Sequence, residues 1–193
     1  MGMIKTALEI ALEKTETVKS ERSSINQFEA KQRGKKLANA FLSGEIDLTA
    51  EIKKTAADQQ ESLKQGIFDV LITKIALPMD KNDEKRIEAA GKGFQTIINN
   101  NQFTALYKQL SQLFSQFLQE AASYQQAILK EYAPQLRQKE EEISRRIGRE
   151  VRIDPMQDPE FVAFYNQHMN ALKNNYQGIV EQAKEQIRNM FEK

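Results

Sequence analysis

Acid–base, nucleophilic or metal chemistry in this sequence would fall mainly to carboxylate, lysine, tyrosine or serine side chains, and no spacing among them advertises a site. His168 is the single imidazole in 193 residues, and cysteine is absent. Without thiols there are no disulfides, no thiolate zinc sites and no cysteine nucleophile. A lone histidine excludes the two-imidazole zincin pattern and the paired Glu-x-x-His motifs of carboxylate-bridged di-iron bundles. His168 sits among Phe161, Phe164, Leu172 and Tyr176 at helical spacing. That pattern describes a packed histidine, because a general base needs a partner brought by another segment. Counted as a calcium loop from Asp80, the sixth and twelfth places hold Lys85 and Gly91 instead of Gly and Glu, so the stretch reads as a helix cap. Gly91-Lys92-Gly93 follows no strand and lacks Walker spacing. No catalytic, cofactor-binding or metal-ligating residue is assigned, no small-molecule substrate is indicated, and a non-enzymatic protein is expected.

The remaining chemistry is charge. Lys31, Arg33, Lys35 and Lys36 surround Gly34, and Arg145, Arg146, Arg149 and Arg152 follow the run Glu140 to Glu142. The chain as a whole carries only +1, with residues 1–44 at +3, 134–153 at +2, and 45–77 and 154–193 each at −2. A strong positive excess and interleaved aromatics are both missing, which disfavours nucleic acid. Glu141 to Arg145 and Glu142 to Arg146 are i,i+4 pairs in the favourable order. Arginine recognises carboxylates through a planar, bidentate fork that lysine lacks. A solvated, self-paired helix surface is the leading reading of these clusters; for a chain that binds a partner, Arg145, Arg146, Arg149 and Arg152 are the expected partner-binding residues. The runner-up function is a nucleic-acid-associated helical protein using clusters 31–36 and 145–152.

The elements that would position these residues are helices. Apolar residues are 40% of the chain and Pro and Gly number only 4 and 8, a balance that is neither disordered nor loop-rich β. Residues 3–42 place Ile4, Leu8, Leu12, Val18, Ile25, Phe28, Leu37 and Phe41 at mostly helical gaps, with a polar stretch over 19–24 as a candidate break and Gly44 as a stop. Asp47 or Thr49 begins a second helix that runs to Pro78 through Ile52, Ala56, Leu63, Ile67, Val70, Leu71 and Ile75. Asn82 caps a third, with Ile87, Ala90, Phe94, Ile97 and Ile98. From Phe103 to Ile147 the apolar spacing stays helical, and Gly148 follows as a stop. Asp158-Pro159-Glu160 is a strong start for a last helix carrying Phe161, Phe164, Leu172, Tyr176, Ile179, Ala183, Ile187 and Met190.

A straight helix over 102–147 would span roughly 70 Å at about 1.5 Å per residue. A compact chain of this size is roughly 40 Å across. An elongated protein with a kink near Pro134 is expected, since proline removes an amide donor and crowds the preceding turn. Between Gln102 and Ala133 the polar positions are mostly glutamine, which suits a helix covered on several sides or a self-association surface.

The N-terminal run is interrupted by Lys5, Glu9 and Glu13 at helical spacing, which reads as an amphipathic helix and not as a secretory signal. Met1-Gly2 with Thr6 loosely matches a myristoylation pattern. Glutamates balance the lysines of this helix, so it is expected to pack on other helices instead of lying on a membrane. No window approaches about 18 apolar residues, so no membrane span is expected.

The runs Ala7 to Thr15, Gly34 to Ala38, and Arg137 to Ile143 leading to Ile153 to Phe161 resemble a group of uncharacterised bacterial all-helical proteins. The resemblance implies a bacterial, cytoplasmic protein and supplies no functional residues. The expected molecule is thus all-α, a single helical domain over 1–193 of about five largely antiparallel helices. Its long helix over about 102–147 is free to project. The expected role is that of a scaffold or adaptor working through protein–protein contacts, with a protein partner or itself as a homodimer.

Overall fold

The computed structural model describes residues 7–98 and 100–192, with side chains from residue 23 onward. The Met1-Gly2 pattern and the side chains of Ile4, Leu8, Leu12 and Val18 lie outside the described residues. Among the described residues the chain is 86% helical and has no strand. The α-helices are α1 (Ala7–Leu42), α2 (Leu48–Lys54), α3 (Ala57–Leu71), α4 (Lys81–Ile97), α5 (Asn101–Ile147) and α6 (Pro159–Phe191). Short 3₁₀ turns cover Ile72–Lys74 and Pro155–Gln157. No helix among the described residues is long and apolar enough to cross a membrane.

Several boundaries follow from local chemistry. The polar stretch 19–24 does not interrupt α1. Gly44, at φ 78°, takes the left-handed conformation that ends this helix, and the Glu45 N–H returns to the Ala40 carbonyl. Asp47 caps α2 by accepting the Thr49 N–H at 2.8 Å. The expected second helix does not run through to Pro78. It divides at Thr55, whose hydroxyl donates to the Glu51 carbonyl at 3.0 Å and receives the Arg33 guanidinium. Thr55 is extended, at φ −84° and ψ 139°, and its hydroxyl satisfies a carbonyl that the ended helix leaves open. The third helix is capped by Asp80 instead of Asn82: one carboxylate oxygen accepts both the Asn82 and Asp83 N–H groups, at 2.7 and 3.0 Å. Aspartate accepts two donors with one oxygen, and Asn82 sits too far inside the turn to do so.

Contacts divide the chain into two compact units, residues 1–75 with 86–100 and residues 76–85 with 101–193. In the first, α1 and α3 cross at two glycines. A methyl built on Gly34 would overlap the Leu63 carbonyl oxygen, and one on Gly66 would overlap that of Lys31. The backbones touch because neither residue has a Cβ. Ala30 and Ala38, one turn to either side of Gly34, are buried with it. Leu63, Ile67 and Leu71 of α3 and Ala90 and Phe94 of α4 are fully buried. Phe68 meets Phe94 edge-on at 5.6 Å.

In the second unit α5 and α6 form an antiparallel pair. Ring contacts march in opposite directions along them: Phe117 to Tyr176 at 5.1 Å, Tyr124 to His168 at 6.1 Å, and Tyr132 to Phe161 at 5.2 Å. α5 passes Pro134 without a break, and Pro134 is exposed. Its ring faces solvent, and the helix continues to Ile147 with the amide hydrogen bond of that position lost. Gln109, Gln112, Gln116, Gln119 and Gln126 are exposed, and the amide-rich face is thus open in this unit.

One pair on this seam has a pH signature. Burial, reinforced by the Glu120 carboxylate to which it hydrogen bonds, pushes the Tyr176 phenol up to about 12. A folded-state value above the ordinary 10 means stability present below about pH 10 and lost as pH rises through about 12. Absorbance titration of the native protein should show a late step from Tyr176, and Tyr176→Phe should remove it. A titration unchanged by Tyr176→Phe above about pH 11 would contradict the packing.

Candidate functional site

The candidate surface is the end of α5 together with the segment that returns to α6. Gly148, at φ 74°, closes α5, with its N–H donating to the Ser144 carbonyl at 2.8 Å. A left-handed residue is what this reversal needs, and glycine adopts it without a Cβ clash. The chain then runs back beside the helix. The Val151 N–H donates to Ser144 Oγ at 3.0 Å and the Ile153 N–H donates to Glu140 Oε1 at 2.9 Å. Exposure alternates along 150–154: Glu150, Arg152 and Asp154 are exposed, while Val151 and Ile153 are half-buried. Period-two burial with alternate amides bonded to one side describes an extended strip.

Two Asp-Pro steps end the strip. Asp154 accepts the Met156 N–H at 3.0 Å and starts the 3₁₀ turn. Asp158 accepts the Glu160 N–H at 3.0 Å and starts α6, with Pro159 at the first helical position, as its sequence predicts. Asp158 is also a buried ion-pair partner. Lys139 Nζ lies 2.7 Å and 3.0 Å from its two oxygens, 2.6 Å from Glu160 Oε2 and 3.2 Å from the Tyr132 hydroxyl. The Lys139 ammonium beside it holds the Asp158 carboxyl below the usual range. The Asp158 and Glu160 carboxylates push the Lys139 ammonium well above its own. These contacts favour the protonated lysine, and the cluster is a clasp between α5 and the start of α6. Beneath it Ile128, Tyr132, Phe161 and Met169 form a buried apolar cluster.

The four arginines stand at the end fixed by this clasp. All are exposed. Arg145 reaches Glu141 at 3.5 Å, and Arg152 reaches Glu150 at 3.1 Å. The expected Glu142 to Arg146 pair does not form, and neither Arg146 nor Arg149 has an ion pair with a described residue. A groove of about 630 Å³ is lined by Arg137, Glu141, Ser144, Arg145, Glu150 and Arg152, among others. Ile147 and Met156 are 55% and 49% exposed at the same end.

The other basic cluster is largely turned to its own unit. Lys31 and Lys35 approach Asp69 at 2.9 and 3.9 Å, and Arg33 meets the Thr55 hydroxyl; Arg33 and Lys36 are both exposed. His168 Nδ1 lies 3.1 Å from the Tyr124 hydroxyl, and its ring is 4.4 Å from that of Phe164. The histidine is half-buried in the α5–α6 seam, beside a groove of about 540 Å³ lined by Tyr124, Leu172 and neighbouring α5 residues. No group of three or more His, Asp or Glu placed to hold a metal ion occurs among the described residues.

The sequence reads Val151-Arg152-Ile153 as a short extended piece, which the structure keeps; the Lys139–Asp158 clasp and the ties of that piece to Ser144 and Glu140 were not legible in it. The strip was visible only as three residues between Gly148 and Asp154. The pairing of Lys139 with Asp158 bridges two elements, and no spacing within either announces it.

Residues 49–189 match the model of a family of unknown function, DUF6657, and the chain belongs to that family. The matched span contains the run from Arg137 to Phe161; the runs Ala7 to Thr15 and Gly34 to Ala38 lie before it. No curated protein and no solved structure matches the chain.

Proposed function

We propose that this member of the DUF6657 family is a non-enzymatic helical adaptor that binds a protein partner through the arginine-bearing end of α5. The observation that carries the reading is the contrast between support and surface at residues 137–160. The backbone there is tied by Gly148, Ser144, Glu140 and the Lys139–Asp158 clasp. The arginines it presents are exposed, and Arg146 and Arg149 are uncommitted among the described residues. Arginines beside exposed apolar side chains, here Ile147 and Met156, match the composition of protein-binding surfaces. The interspersed glutamates suit a protein better than a polyphosphate. Self-association is a second contact of the same class, and the open glutamine face of α5 supports it. Sedimentation velocity should then show a homodimer.

The test of the main reading is charge reversal. The variant with Arg145, Arg149 and Arg152 all changed to Glu should fold as the parent does, because exposed ion pairs contribute little. It should lose its protein partner when the tagged chain is captured from its native host. A well-folded variant with unchanged capture would remove this site. Capture dominated by nucleic acid, with affinity falling steeply with salt, would replace the reading with the nucleic-acid one.

A further inference from the structure

We infer that the strip Glu150 to Asp154 is a docking edge for an extended acidic segment of the partner, bound by strand addition. The inference rests on the adaptor reading of this end and specifies what the surface accepts. In an extended chain, side chains alternate above and below, and the N–H and C=O groups alternate left and right. Val151 and Ile153 direct their N–H groups to Ser144 and Glu140 on α5, at 3.0 and 2.9 Å. The intervening residue, Arg152, therefore directs its N–H and C=O to the opposite side. The Arg152 N–H has no acceptor among the described residues. Asp154 is extended, at φ −67° and ψ 121°. The strip is thus a short extended segment held by two side chains of α5, with the cost of ordering it met within the fold. Gly148 before it and Pro155 after it limit the edge to one short register, which suits a single added strand and not open-ended pairing.

The charges beside the edge choose the occupant. Arg152 is 84% and Arg145 79% exposed in their side chains, and Arg149 is exposed with no ion pair to a described residue. An extended peptide bound at the edge would use its backbone carbonyls to accept the outward N–H groups. Its acidic side chains would reach the arginine forks, a charge-assisted and bidentate contact. Glu150 now occupies the Arg152 guanidinium, with Nε and Nη2 donating at 3.2 and 3.1 Å. It is therefore an internal competitor that an incoming carboxylate displaces.

The test uses the full chain and fluorescein-labelled synthetic peptides, read by anisotropy. The parent peptide alternates glutamate and valine; a second carries N-methyl groups on its edge-facing amides; a third replaces glutamate with lysine. The glutamate peptide should bind, and N-methylation or lysine replacement should each weaken it at least about tenfold, the effect of losing one to two backbone hydrogen bonds or a charge-assisted contact. Glu150→Gln should tighten binding by removing the competitor, and the triple Arg→Glu variant should abolish it, with melting curves confirming that both fold. Equal binding of the N-methylated peptide would overturn strand addition. Absence of glutamate-peptide binding up to millimolar concentration, or preference for a single-stranded oligonucleotide of equal length, would overturn the acidic occupant. If the peptide fails while capture of the native partner still depends on the arginines, strand addition is wrong and the adaptor reading stands. If capture is indifferent to the arginines, the adaptor reading fails as well.

Discussion

Gly34→Ala should be severely destabilising although it adds one methyl group to a helix. In an isolated helix the change is favourable by about 1 kcal/mol. Here the new Cβ would overlap the Leu63 carbonyl oxygen and stand 3.1 Å from the Ile67 nitrogen. These are backbone atoms of α3 and cannot rotate away, so α1 and α3 must separate. Separation opens gaps around Leu63 and Ile67, both at 0% exposure. A net loss of about 3 kcal/mol, the upper end for overpacking, is expected in urea denaturation. Gly66→Ala should behave alike, because its Cβ would overlap the Lys31 carbonyl and approach the Lys35 nitrogen to 3.1 Å. Gly178, on the exposed face of α6, is the control, since its Cβ would meet nothing within 4 Å. Gly178→Ala should gain up to about 1 kcal/mol. If Gly34→Ala stabilised as Gly178→Ala does, the close crossing would be wrong.

Asp158 is the second position of large effect, because one carboxylate caps α6 and neutralises Lys139. Asp158→Ala removes both roles, and about 2 kcal/mol, the top of the N-cap range, should be lost. Asp158→Asn keeps an acceptor for the Glu160 N–H and loses the charge, so it should fall between parent and alanine. The pH dependence separates the roles. With its folded value held below the ordinary carboxyl range by Lys139, Asp158 contributes stability above about pH 4 that is lost as pH falls further through the folded value. Lys139 contributes in the opposite sense: its value is raised, so its share is complete below about pH 10 and lost as pH climbs past the folded value. Melting curves below pH 4 should therefore be steeper for the parent than for Asp158→Asn. Parallel curves would mean that the clasp contributes nothing.

What the sequence announced and what it hid divide along a physical line. The course of α5, the start of α6 and the stops at Gly44 and Gly148 are written in neighbouring residues: apolar spacing, an Asp-Pro step, a glycine after the last turn. The division at Thr55 was hidden because Ile52, Ala56 and Leu63 keep helical spacing across it, while the Arg33 guanidinium that Thr55 meets there arrives from α1. The cap of α4 was misplaced by two residues because Asp80 and Asn82 are both good caps and only geometry selects one. Gly34 looked like a gap in a basic cluster; its role depends on Gly66, far along the chain. The arginines were legible as types and positions. Which of them stay uncommitted was not, because Glu141 engages Arg145 while Glu142 engages no arginine.

The most direct measurement replaces Arg149 with a photo-crosslinking amino acid in the full chain, irradiates it in the native host, and maps the adduct by mass spectrometry. Lys173, exposed on α6, is the control position. A covalent adduct to a distinct protein from position 149 and not from 173, mapping to an acidic segment of that protein, is the expected result. An adduct to nucleic acid, or equal yields of unrelated proteins from both positions, would contradict a partner surface at the end of α5.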